Sequence, residues 1–532
     1  MRVRGFRIYF VPAVAGLLVA CGGGGGGYNA PMMPPPPPPP AMPTASFSAP
    51  TQPSTINLGQ AVQLKWTSTN ATSCTATTSA TAGGSFSGTQ SISNQTGQMI
   101  VPTATGTYTY TLSCSGATGT TPASASVMVT VAPNLLAALA PNGPIPVVGS
   151  TVDPTNGDQN PYGLTIAPAT AGLITKGDLI ICNFNDLTTT ANPTGVQGNG
   201  TTIVGLHPST GSTPSQPYHI AQSAVLMGCN ALAMLPDDSI SVAAWNQGTN
   251  PNALVSATGS VQAPFASDNS MFNDPWGEAY VPAAGTQPAA LYVSNAPDHN
   301  NVIQAGGTID RISLNVDAQT SFTEIVTGFC SGGQPGVIFG PSGLTYDPAS
   351  DTLYVIDTSS NSVIALTGVS SIQTDGVVVN GQCTATTPTP EPTFSGPSMA
   401  SAKVIAHGPP LSAPLSAALL KNGDLVVGNA DIAAPGGALP PSSTTNLLIE
   451  VSPWLPGGFV GQPLQVDAGG SGAIFGIAAT VDAQQNQIIY FNDDNTPGTV
   501  NNFSGVGAVM RLGPVTSSTP ASPSPAPMPP GY

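Results

Sequence analysis

Short apolar runs separated by turn residues fill the chain from about residue 140 to residue 514, and one arrangement of them recurs six times. Each copy opens on a small residue, passes through an apolar run and a turn, and ends in a second apolar run closed by Asn or Asp. The fourth is the cleanest: Pro341-Ser342-Gly343-Leu344-Thr345-Tyr346-Asp347, then Thr352-Leu353-Tyr354-Val355-Ile356-Asp357. The first is Pro161-Tyr162-Gly163-Leu164-Thr165-Ile166 with Leu179-Ile180-Ile181-Cys182-Asn183. The third is Pro275-Trp276-Gly277-Glu278-Ala279-Tyr280 with Leu291-Tyr292-Val293-Ser294-Asn295. The fifth is Pro414-Leu415-Ser416-Ala417-Ala418-Leu419 with Leu425-Val426-Val427-Gly428-Asn429. The sixth is Phe475-Gly476-Ile477-Ala478 with Ile488-Ile489-Tyr490-Phe491-Asn492. The second is degenerate: Asn230-Ala231-Leu232-Ala233-Met234, then Ile240-Ser241-Val242-Ala243-Ala244, with Ala244 where the others carry Asn or Asp.

A third run follows each pair, as in Val204-Gly205-Leu206-His207-Pro208 and Ile449-Glu450-Val451-Ser452-Pro453, and a fainter fourth run lies outside it, as at 322–326 and 403–406. Four short strands in six self-similar units predict an all-β, six-bladed propeller. The runs are near-continuous rather than alternating, which suits strands buried on both faces between neighbouring blades. The small residue is expected where inner strands crowd the axis, and the closing Asn or Asp is expected to cap the following turn.

These units resemble NHL-type repeats, whose blades carry Pro-x-Gly-[Leu/Ile]-[Ala/Thr] before one strand and Leu-[Tyr/Val]-Val-x-[Asp/Asn] in the next. The resemblance covers about residues 140–514. It implies a fold only, because propellers of this kind serve as binding scaffolds, lyases and lactonases alike.

Residues 44–132 read as a separate small β domain, with strands such as Tyr108-Thr109-Tyr110-Thr111-Leu112. Gly-x-Ala-Val-x-Leu-x-Trp, ending at Trp66, followed by Gly-Thr-Tyr-Thr-Tyr-Thr-Leu-Ser-Cys, ending at Cys114, resembles bacterial Ig-like or PKD-like surface modules. Trp66 precedes Cys74 instead of lying between the two cysteines, so the module departs from the antibody pattern. A spacer role is expected of it, and adhesion is the alternative.

At the start, Arg2, Arg4 and Arg7 precede an apolar stretch at 8–19 that is too short to span a bilayer. It ends Leu18-Val19-Ala20-Cys21-Gly22, which resembles a bacterial lipobox. That implies a signal peptide at 1–20, acylation (palmitate included) of Cys21, and a lipid-anchored, outer-membrane location. Residues 21–43 form a tether, with a Gly run at 22–27 and a polyproline stretch at 34–40. Residues 515–532 are a Pro/Ser tail expected to lack order.

Charge narrows the partners. Without residues 1–20 the chain holds six basic residues against twenty-five acidic ones, a net charge of −19. No nucleic acid is expected as a partner, because nothing would neutralise its phosphates. Membrane contact is expected through the lipid alone, and an envelope protein, peptide or glycan is the expected ligand. Once Cys21 is assigned to lipid, six cysteines remain, and order and domain suggest Cys74–Cys114, with Cys74 reaching from a loop, Cys182–Cys229 joining blades one and two, and Cys330–Cys383 across the loops flanking blade four.

Catalytic signatures are few. The four histidines form no metal-binding spacing, and no GxSxG elbow or phosphate loop occurs. Glu278 stands where the other units have Leu164, Leu344, Ala417 and Ile477. A carboxylate there has to be paired, metal-bound or turned to the channel. Lactonase-like propellers hold calcium on the axis with Glu, Asn and Asp. That resemblance reaches Glu278 alone, as a candidate acid/base residue or axial calcium ligand. The oxygen-rich runs at 298–301 and 492–495 could also bind calcium or form solvated turns, and Glu278, Asn295 and Asp298 are the candidate Ca2+ set. The competing reading is a wet channel lined by one acid. The breaks in the pattern, Glu278 and Ala244, direct attention to blades two and three. The leading expectation is a non-catalytic binding module. A lactonase- or lyase-like enzyme with an axial cation is the alternative, and a structural or adhesive surface protein is another.

Overall fold

The computed structural model describes residues 38–514 except 53, 188–194, 209–212, 246–251, 264–271, 301, 315–319, 333–337, 382, 384–388, 431–443, 467–472 and 495–506. The signal segment, Cys21, most of the tether and the 515–532 tail lie outside the described residues.

Six sheets, antiparallel through their four repeated strands, carry the pattern. Their innermost strands are Gln159–Ile166, Cys229–Met234, Pro275–Val281, Pro341–Asp347, Pro414–Leu419 and Ile477–Val481. The closing Asn or Asp ends the second strand or lies near its end, for example in Leu179–Asn185, Ala289–Asn295 and Thr352–Asp357. Each inner strand touches the next, and the sixth touches the first. The apolar cores lie between blades rather than within them. Ile180, Ile203 and Val242 join blades one and two, and Leu164, Ile181, Ile488 and Tyr490 join blade six back to blade one. This is the closed six-bladed ring expected from the sequence. It also explains the continuous apolar runs, since both faces of a blade are covered.

The small residue at the head of each copy has a measurable cause. A Cβ added to Gly277 would lie 2.1 Å from the carbonyl oxygen of Ser342, one on Gly343 2.5 Å from that of Leu415, and one on Gly476 2.6 Å from that of Tyr162. In each case the obstacle is the inner strand of the next blade, so only glycine lets the backbones approach. Five of the six inner strands also shift register at this point, between Pro161 and Leu164 in blade one and at the matching place in blades two to five. The extra residue is a β-bulge, which re-aims the side chains that follow it.

The closing amides do more than cap a turn. Asn492 accepts from the backbone N–H of Phe475 (3.1 Å) and Gly476 (2.6 Å) and donates to the carbonyl of Tyr162 at 3.0 Å. Asn429 accepts from Ser412 and donates to Pro410 and Thr444. They pin the end of one strand to the start of another. Asp357 alone behaves as a simple turn cap, accepting from Ser359 and Ser360. Ala244, which lacks such a group, lies opposite Cys229 in register, and Cys229 is bonded to Cys182 of blade one. The degenerate copy carries a covalent tie near the place where the others carry an amide or a carboxylate.

All three cysteine pairs form as expected. Two details differ from expectation. Cys74 is not in a loop but lies directly opposite Cys114 on a neighbouring strand of one sheet. Cys383 does not flank blade four: it follows Val377–Asn380, a strand that joins blade three through a parallel pairing with Thr320–Ser331. The chain from Val147 to Ser150 supplies the fourth strand of blade six by pairing with Ala508–Leu512.

Residues 44–132 form two sheets, one of three strands and one of five. Leu64 and Trp66 of the first share a core with Tyr110, Leu112 and Val129 of the second, and Trp66 meets Phe86 edge to face. The turn at Gly59 and Gln60 rests on blade five: Ser452 donates to the Gly59 carbonyl at 2.6 Å, and Gln60 donates to that of Asn422 at 3.2 Å.

Candidate functional site on the propeller axis

The inner strands present side chains to the axis at alternate positions. Leu164, Leu232, Glu278, Leu344, Ala417 and Ile477 form one tier around it, bordering a cavity on each side. The larger cavity, about 400 Å³, extends to Ile166, Met234, Tyr280, Tyr346, Leu419 and Ala479 at the far ends of the strands. The smaller, about 80 Å³, extends toward the strand starts, where Tyr162, Asn230, Trp276, Leu415 and Phe475 line it.

The strand-start end of the axis is packed with rings. Tyr162 stacks on Phe475 at 4.0 Å and on Phe184 at 4.2 Å between centroids, and Trp276 lies against both Tyr162 and Phe184. Ala413, Leu415, Ala430 and Ala473 complete this cluster. The axis is closed by apolar contacts at this end, so the larger cavity is reached from the other.

Glu278 is the one acid in its tier. It is 8% exposed, and neither carboxylate oxygen has a hydrogen-bond partner. Burial pushes its carboxyl up to about 8, partly offset by the nearby Ser241 hydroxyl, which is not in hydrogen-bonding geometry. Two more residues lining the same small cavity carry buried polar atoms without a hydrogen-bond partner: both polar atoms of Asn230 and the Ser416 hydroxyl. Asn230, Glu278 and Ser416 come from blades two, three and five. A buried polar group left without a partner costs roughly 1–3 kcal/mol, and three around one cavity mark a place built for something else to complete.

The expected calcium set is not assembled. Asn295 sits at the end of the second strand of blade three, where it donates to Asp310 and Thr308 and accepts from the backbone of Asn273. Asp298 lies in the following turn, accepting from the backbone of Asn300. Both are committed to local structure, and Glu278 is left to Asn230 and Ser416. One carboxylate, one amide oxygen and one hydroxyl fall short of the six to eight oxygens that calcium takes. Among the described residues no three acidic, histidine or cysteine side chains gather elsewhere. The oxygen-rich run at 492–494 is likewise engaged, with Asp494 accepting from Ala473.

Asn230 and Ser416 were missed as site residues. Asn230 had a signal: it stands two places before Leu232, as Tyr162 does before Leu164, so it is a polar residue at an inward position of a buried strand. Ser416 had none, because a small residue is expected there for backbone packing.

Solved structures similar to this chain include a candidate gluconolactonase (11% identity, TM-score 0.37, 70% of this chain and 93% of the other). They also include a quinoprotein alcohol dehydrogenase-like protein from Bacteroides thetaiotaomicron (9%, 0.26, 87% and 96%) and a protein from Lactobacillus plantarum (10%, 0.30, 66% and 81%). At these scores none bears on activity. No family model and no curated protein matches the chain, so the NHL-type and Ig-like resemblances rest on the residues quoted for them.

Proposed function

We propose that this protein is an envelope-anchored lipoprotein whose propeller is a binding module, taking a small, largely apolar ligand into its axial chamber. The observation that carries the reading is the tier around the axis: five apolar side chains and one unpartnered carboxylate, with a cavity of about 400 Å³ on one side. Small-ligand sites have this composition, a mostly apolar wall with few convergent polar groups. The same lining argues against a glycan, which would need many hydrogen-bonding partners. The enzymatic alternative has one supporting feature, the raised Glu278 carboxyl, which suits proton transfer. Among the described residues no second acid lines the cavities with it, and the donor set does not fit the divalent cation that the lactonase resemblance implies.

The reading is tested by thermal shift of the purified mature protein against a panel of small aromatic and aliphatic compounds, compared with Ala417→Phe, which fills the tier. Ligand-dependent stabilisation in the wild type, lost in a variant that still melts cooperatively, supports it. Equal stabilisation in both proteins defeats it. Anchoring is tested separately. Cys21→Ala is expected to move the protein out of the membrane fraction, and unchanged fractionation removes the lipoprotein component.

A further inference from the structure

We propose that the small axial cavity is an ammonium site: the protonated amine of an amphipathic ligand sits among Glu278, Asn230 and Ser416, with its apolar body in the larger chamber. This rests on the chamber reading above and specifies the ligand's head group.

The three side chains are each more than nine-tenths buried and unpartnered, and all line one cavity. Their acceptors are two carboxylate oxygens, one amide oxygen and one hydroxyl oxygen, against the three N–H donors of a primary ammonium. Charge decides between cations. One carboxylate neutralises a monovalent ion, whereas a divalent ion would keep a net positive charge among Leu, Ala and Ile, which burial disfavours. The rest of the lining points the same way. Tyr162 and Trp276 border the cavity, and aromatic rings attract organic cations. The Asn230 amide N–H group also needs an acceptor, which a hydroxyl or carbonyl beside the amine would supply.

Geometry fixes the orientation. The strand-start end is closed by stacked rings, so the head enters first and the body trails through the tier of Glu278 into the larger cavity. The other titratable side chains lining the two cavities are Tyr162, Tyr280 and Tyr346. Burial raises the phenols of Tyr280 and Tyr346, so neither competes as an anion. Binding a cation therefore requires Glu278 to ionise and release its proton.

Two probes of matched shape, 2-phenylethylamine and 2-phenylethanol, test this by calorimetry on the mature protein, with calcium chloride as a third. The amine is expected to bind at least tenfold tighter than the alcohol and to release about one proton at pH 6. Its affinity should rise roughly tenfold per pH unit up to about pH 8. Glu278→Gln should weaken the amine about a hundredfold and leave the alcohol unchanged. Equal binding of amine and alcohol overturns the ammonium site while leaving the chamber reading intact. Amine binding without proton release, or displacement of the amine by calcium, also overturns it.

Discussion

Two buried glutamates in this protein have opposite surroundings. Glu450, on the third strand of blade five, is 1% exposed and fully engaged. It accepts from the backbone N–H groups of Leu135 (3.1 Å) and Leu136 (2.6 Å) and from the Asn134 amide (2.9 Å). Those residues begin the short helix Leu135–Leu139, between the two-sheet module and the propeller, so Glu450 is a joint. Glu278 is almost as buried, and only the Ser241 hydroxyl lies nearby, outside hydrogen-bonding geometry. The contrast separates two uses of a costly group. A buried carboxylate surrounded by N–H groups holds parts of the fold together, and one that faces a cavity with bare oxygens is available to a ligand.

The largest test of the contrast is Glu450→Ala. Leaving two backbone N–H groups and an amide unpaired is expected to lower stability by about 3 kcal/mol and to expose the chain near residues 133–146 to protease. Melting and cleavage indistinguishable from wild type would end the contrast. Glu278→Leu restores the residue type of its tier and is expected to raise stability by about 2 kcal/mol at neutral pH, while abolishing amine binding. A destabilised variant would mean that Glu278 has a structural partner after all.

The pH dependence sharpens the point. Burial raises the folded carboxyl of Glu278 from its ordinary 4.5 to about 8, so the folded state holds the proton more tightly. Its contribution is favourable below about 4.5 and is lost as pH rises through about 8. Wild type should therefore lose stability relative to Glu278→Gln by about 1.4 kcal/mol per pH unit within that window, and by nothing more outside it. Melting curves of the two proteins from pH 4 to 9 check this. The smallest effect is expected at Asp424. Burial, with Glu450 as a neighbour, pushes its carboxyl up to about 8. Asp424→Asn should change stability by less than about 1 kcal/mol near pH 4, where the wild-type carboxyl is largely protonated folded or unfolded, and should become increasingly stabilising as pH rises toward about 8, with no further change above it.

The repeat was legible because both faces of every blade are covered, which writes continuous apolar runs into the sequence, and because glycine is forced where inner strands meet. The cysteine pairs were legible because they follow chain order. The closure of blade six was not, since Val147–Ser150 pairs with a strand some 360 residues away and nothing local marks that partner. Nor was the hairpin of Val377–Asn380 and Thr393–Ser395 that extends blade three. At the site, Glu278 stood out as a break in the pattern. Its expected companions, Asn295 and Asp298, are near it in sequence but take part in local hydrogen bonds at the strand end and the following turn.

The sequence by itself determined the class of fold, the number of blades and the one acid on the axis. Each of these follows from periodicity, which is a property of neighbouring residues. The tertiary structure alone decided which polar groups keep that acid company. Asn230 and Ser416 come to line one cavity with Glu278 only when the ring closes, and whether a buried polar atom has a partner is settled by the packing of strands far apart in the chain.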